Sequence, residues 1–163
     1  MHVLGDFCYI SVGMVLNANE KTAKGEFKKE DLISLTQDEI HCRKYIEAKD
    51  IEKYRVNRIR YLEYNTNRVP NQLRRPTFRE LYTIPKLMFN RLGELQVFFD
   101  ENGDFTTSDA MFVCLTWKSL SDVENKSISS SIKKFSTLSR EEMETLSETV
   151  DLKYLLAIMN SRY

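Results

Sequence analysis

Leu95-Gln96-Val97-Phe98-Phe99-Asp100 leads into Glu101-Asn102-Gly103-Asp104 and emerges as Phe105-Thr106-Thr107. Asn-Gly accepts the positive backbone angles of a tight type I′ turn, so apolar and β-branched flanks around it predict two antiparallel strands closed into a hairpin. Just beyond, Ala110-Met111-Phe112-Val113-Cys114-Leu115-Thr116 is nearly continuous in apolar character, which predicts a strand buried on both faces. Toward the start, Val56 to Tyr64 is rich in β-branched and aromatic residues and reads as a strand. So does Phe7 to Val12, after which Gly13 stands where a strand bends or bulges. Thr36-Gln37-Asp38-Glu39 and Ser139-Arg140-Glu141-Glu142 both carry the capping-box pattern, in which a hydroxyl and a carboxylate each satisfy an orphan amide at a helix start. Asp50 to Tyr54 reads as a single turn, and Asp151 caps a helix whose Leu152, Leu155, Leu156, Ile158 and Met159 form one apolar stripe. Asn17 to Glu20 and Ser127 to Ser131 read as polar surface loops. Strands in the middle and helices at the end predict an α+β fold: a twisted mixed or antiparallel sheet with short helices and a closing C-terminal helix.

The 163 residues fit one domain spanning 1–163, and 42% hydrophobic content is enough to build its core. No run approaches the roughly 20 apolar residues of a membrane helix. The opening Met1 to Asp6 lacks the layout of a secretory signal, so a cytoplasmic location is expected and the sequon at Asn125 carries no weight. Cys8, Cys42 and Cys114 lie far apart with no Cys-x-x-Cys spacing, and all three read as buried thiols. Catalytic patterns are missing. There is no glycine-rich cofactor turn, no Asn/Asp-Pro-Pro-aromatic or Pro-Cys motif and no Gly-x-Ser-x-Gly elbow, and there are only two histidines, His2 and His41. No catalytic residue, metal or cofactor is therefore assigned to this chain. One decoy is Asp31 followed by Glu47-Ala48-Lys49, which imitates the acid-acid-lysine set that holds magnesium in nucleases.

Charge is balanced overall, with 24 basic and 24 acidic residues, yet it is unevenly placed. Both flanks are mildly acidic, while residues 41–99 carry thirteen basic side chains against six acidic ones, and nine of the thirteen are arginine. The planar guanidinium fork suits phosphates and guanine edges. A solvated, salt-bridged surface is the alternative that composition leaves open.

Three blocks resemble the TaqI-like C-terminal specificity domain, or target recognition domain, of restriction-modification DNA methyltransferases. The first is Tyr61-Leu62-Glu63-Tyr64 followed by Arg75-Pro76-Thr77-Phe78 and Ile84-Pro85-Lys86-Leu87-Met88. The second is Phe99 to Asp104, and the third is Tyr154-Leu155-Leu156-Ala157-Ile158-Met159-Asn160-Ser161. Asn65 departs from the glycine common in that family, though asparagine tolerates the left-handed conformation. The resemblance implies a bacterial-type module that binds double-stranded DNA and positions it for adenine methylation. A separate methyltransferase domain, in cis or in trans, would carry the chemistry with S-adenosylmethionine, and parent enzymes of that family often carry a nuclease with magnesium as well. Arg68, Asn71, Gln72, Arg74 and Arg75 are then the candidates for reading base edges, being the side-chain types that pair with guanine and adenine. Lys53, Arg55, Arg58, Arg60, Arg79, Lys86 and Arg91 are the candidates for phosphate contacts, which fix register and make binding salt-dependent. Arg75 before Pro76 suits a backbone carbonyl of the fold equally well, and Tyr61 and Tyr64 read as core partners rather than base stackers. A protein-interaction or subunit-assembly domain is the alternative, and a magnesium-dependent nuclease the third reading.

Overall fold

Asp100 is where the chain leaves one sheet for another, and that crossing organises a computed structural model describing residues 1–161. In chain order, α1 (Leu4–Phe7), β1 (Cys8–Val12) and β2 (Val15–Ala18) open the fold. There follow β3 (Ile33–Ser34), β4 (His41–Ile46), β5 (Ile51–Glu52), β6 (Arg55–Val56), β7 (Arg60–Glu63) and β8 (Leu73–Arg75). Next come α2 (Glu80–Thr83), β9 (Lys86–Asn90), β10 (Val97–Asp100), β11 (Phe105–Thr107) and β12 (Met111–Thr116), then α3 (Lys126–Phe135), α4 (Arg140–Ser147) and α5 (Leu152–Asn160). The first sheet has the order β1-β12-β9-β10 and is antiparallel throughout. The second, β11-β4-β7-β3, is mixed, because β11 runs parallel to β4. Two ribbons, β2–β8 and β5–β6, complete an α+β architecture.

Alternation along β12 explains how the first sheet is covered on both sides. Met111, Val113 and Leu115 enter the large core with Tyr9, Met88 and Trp117. Phe112 and Cys114 point the other way, joining Cys8, Leu87, Phe89 and Val97 beneath Leu152, Leu155, Leu156 and Met159 of α5. Asp151 caps α5 as the sequence indicates, its carboxylate accepting from the Lys153 amide at 2.7 Å. Ile158 departs from the expected stripe and faces outward, 44% exposed. Asn160 ties the end of α5 to β10, its amide group both accepting from Val97 N–H and donating to Val97 C=O at 2.9 Å.

The expected hairpin does not form. The tight turn is present, with Gly103 at φ +67° and a backbone so close to Thr83 that a Cβ would overlap its carbonyl. However, the Asp100 carboxylate accepts from the amides of Asp104 at 3.0 Å and Phe105 at 2.9 Å, which turns the chain away from β10. β11 instead pairs with β4, and the Thr106 and Thr107 hydroxyls donate to the Lys44 and Ile46 carbonyls at 2.8 Å.

Four further expectations are corrected. Thr36 to Glu39 starts no helix: Asp38 accepts from the Ile40 amide at 2.9 Å and the His41 amide at 2.6 Å, forming a turn into β4. Asp50 to Tyr54 is a 3₁₀ turn (Ala48–Asp50) running into the β5–β6 ribbon, with Tyr54 at φ 72°. The Val56 to Tyr64 strand is broken, because the Asp50 carbonyl takes the amides of Asn57 (2.7 Å) and Arg58 (3.4 Å). Ser127 to Ser131 is helical: Asn125 caps α3 by accepting from the Ser127 amide, and Ile128 and Ile132 seat it on the core. Cys8 and Cys114 are buried free thiols, whereas Cys42 is only half-buried.

Candidate nucleic-acid interface

The folded chain uses most of its central cations internally. Lys86 is completely buried, paired with the equally buried Asp100 and donating to the Tyr82 carbonyl at 3.2 Å. Arg60 pairs with Asp50 and, at 3.2 Å, with Glu47, and lies over the Tyr45 ring. Neither can reach a phosphate outside the protein, and both are withdrawn as phosphate contacts. Arg55 is paired with Glu52 at 2.6 Å and Lys53 with Glu94 at 3.3 Å. Arg91 donates to the Asp109 carbonyl at 2.6 Å. Arg68 grips Glu63 through two nitrogens and covers the Phe27 ring, although it stays partly exposed. Outside the candidate set, Arg43 holds the carbonyls of Tyr82 (2.9 Å) and Gly103 (3.2 Å), and Lys44 pairs with Asp104 (3.0 Å). Arg58, Arg74, Arg75 and Arg79 are exposed and make no ion pair or side-chain hydrogen bond among the described residues.

These four do not lie on one surface. Arg74 and Arg75 are successive residues of β8, and a strand sends neighbours to opposite sides. Arg74 faces a depression beside Lys28, Glu30 and Asp109, whereas Arg75 faces a groove along β1. Arg58 follows the β5–β6 ribbon, which packs against β10 at the opposite edge of the first sheet from β1. Three strand spacings separate those edges, about 14 Å. The candidate base-reading and phosphate-contacting arginines that stay free therefore do not form one continuous track. Asn71 and Arg79 share a small cleft of about 300 Å³ with Tyr64, Pro76 and Phe78. Its wall contains Thr77 at φ 61°, a left-handed conformation costly for a β-branched residue. Gln72 is half-buried, and its backbone N–H donates to the Arg68 carbonyl.

The β1 groove, about 530 Å³, has the clearest chemical character. Arg75 stands on one wall and Lys126 and Lys134 of α3 on the other, with Ser11, Ser127, Ser130 and Ser131 between them and no carboxylate from the described residues in the lining. Neither lysine has an ion-pair partner among the described residues. Ile128 and Ile132 fix the helix rotation, so Lys126, Ser130 and Lys134 share the opposite face at four-residue spacing. Lys134, in the last turn of α3, also complements the helix dipole, whereas Lys126 stands at the first turn, where the dipole gives it no support. The sequence reading missed both lysines because the serine run looked like a loop. The signal was present in the Asn125 cap and in Ile128, Ile132 and Phe135 at i, i+4, i+7.

Glu47, one acid of the acid-acid-lysine set, is tied into the fold. Glu47 accepts from Lys29 Nζ at 2.9 Å, Tyr45 Oη at 3.0 Å and Arg60 at 3.2 Å, with Lys49 Nζ at 3.3 Å. Burial raises its pKa, but these donors prevail and bring it down to about 2. Among the described residues no group of three or more histidine, cysteine or acidic side chains is placed to hold a metal, and no helix is long and apolar enough to cross a membrane. No protein-family model matches the chain, and neither does any curated protein.

Proposed function

We propose that this chain is a DNA target recognition module, working beside a separate methyltransferase domain that extrudes and methylates adenine with S-adenosylmethionine. The observation that carries the reading is the groove between β1, β8 and α3, where three cations without an ion-pair partner and four serines meet, with no acid in the lining, among the described residues. Such a surface attracts a phosphate backbone and releases its counterions. The resemblance in the blocks at 61–88, 99–104 and 154–161 supports the same class. Asn71 and Arg79 in the neighbouring cleft then lie where base edges are read, while Arg74 and Arg58, on other surfaces, are left out of the contact.

Binding to duplex DNA across a salt series tests it. Replacing Arg75, Lys126 and Lys134 together with alanine weakens binding to all sequences and flattens the slope of log K against log salt by about 0.9 for each phosphate contact removed. Asn71→Ala leaves the slope unchanged and relaxes sequence preference. An unchanged slope in the triple variant refutes the reading.

A subunit-assembly role is the second reading, favoured by α5, whose outer face presents Tyr154, 68% exposed, together with Ile158. Sedimentation of wild type and Tyr154→Glu separates the two, since only assembly through α5 makes the wild type dimeric and the variant monomeric.

A further inference from the structure

Of the nine phenylalanines in the chain, Phe135 alone is exposed, at 76%, and it stands in the lining of the basic groove. α3 does not need this ring to dock, because Ile128 and Ile132 already hold the helix to the core. Lys134 Nζ lies over the ring, 5.0 Å from its centroid. An exposed ring capped by a movable ammonium, in a groove built for phosphate, is a π face covered by a group that phosphate would attract away.

We propose that Phe135 stacks on an unpaired base of DNA held in this groove. The inference rests on the reading of the groove as a DNA site and adds a distinct role to it. Lys126 and Arg75 hold the backbone, Lys134 leaves the ring for a phosphate, and the uncovered face takes a base that lacks its partner. A base-extruding enzyme working alongside creates such a base. Stacking of this kind tolerates any base, since each has a π face, whereas the serines and cations around the ring serve only the backbone.

The experiment uses the full chain and two short duplexes identical except at one position, where 2-aminopurine faces thymine in one and an abasic site in the other. Anisotropy gives affinity, and quenching of 2-aminopurine emission gives stacking. The wild type is expected to favour the abasic duplex by about tenfold, the size of one base–aromatic stack, and to quench its emission. Phe135→Ala loses the preference and the quenching but keeps the salt dependence, and Phe135→Trp restores both. The double change of Arg75 and Lys126 to alanine weakens the two duplexes equally. A preference that survives Phe135→Ala, or that the wild type lacks, overturns the role of Phe135 and leaves the groove reading standing. Binding that ignores Arg75 and Lys126, or no binding to either duplex, overturns both.

Discussion

Lys86 was expected at a phosphate and lies instead at the centre of the molecule, where its ammonium answers Asp100. Burial lowers its pKa, which Asp100 opposes. Removing one member of such a pair leaves the other charged, buried and alone, a loss of about 3–5 kcal/mol. Lys86→Met is therefore expected to lower the urea midpoint sharply, yet to leave the salt dependence of DNA binding untouched wherever the variant is folded. Glu47 makes a pH prediction. Its folded pKa of about 2 lies below the ordinary 4.5, so its contribution to stability is complete above 4.5 and is lost as pH falls toward 2. In Glu47→Gln the difference in stability from wild type should be largest above pH 4.5 and shrink through that window, as read by denaturant unfolding at each pH. Residue type alone could not have told Lys86 from Lys126, because sequence shows charge but not which acid the fold will bring beside it.

Among elements, β1, β12, α4 and α5 were legible because each carries its own instruction, either an apolar run or a capping side chain. Ser139, for example, accepts from the Glu142 amide at 3.2 Å while Glu142 accepts from Ser139 N–H at 2.7 Å. The turn at Asn102-Gly103 was legible too, but its outcome was not. A turn motif specifies backbone angles and leaves the pairing partner to side chains such as Asp100, which here takes the two amides that follow the turn. Gly103→Ala tests how strictly the crossing is built, since it adds both a left-handed strain and an overlap with Thr83. Its cost should exceed about 1 kcal/mol, seen as a fall in thermal midpoint. α3 carries the opposite problem, its two core isoleucines being diluted by serines whose run reads as a loop unless the Asn125 cap is weighed with them.

At the scale of the whole molecule the even charge balance conceals a sorting. Most cations of residues 41–99 are consumed in ion pairs and carbonyl contacts, while Arg75 of β8, which has no ion-pair partner among the described residues, is joined in the groove by Lys126 and Lys134 of α3, at least 51 residues further along the chain. That convergence was invisible before folding, since two of the three cations lie within residues 100–163, where eleven acidic side chains outnumber seven basic ones. A further consequence concerns assembly order during synthesis. The register of the first sheet joins Cys8 to Thr116, and that of the second joins Lys44 to Phe105. A nascent chain must therefore carry unclosed β edges for 60 to more than 100 residues before their mates are translated. Folding dominated by such distant pairings is slow, so the interval in which these strand edges are most exposed to aggregation lies before residues 105–116 have emerged.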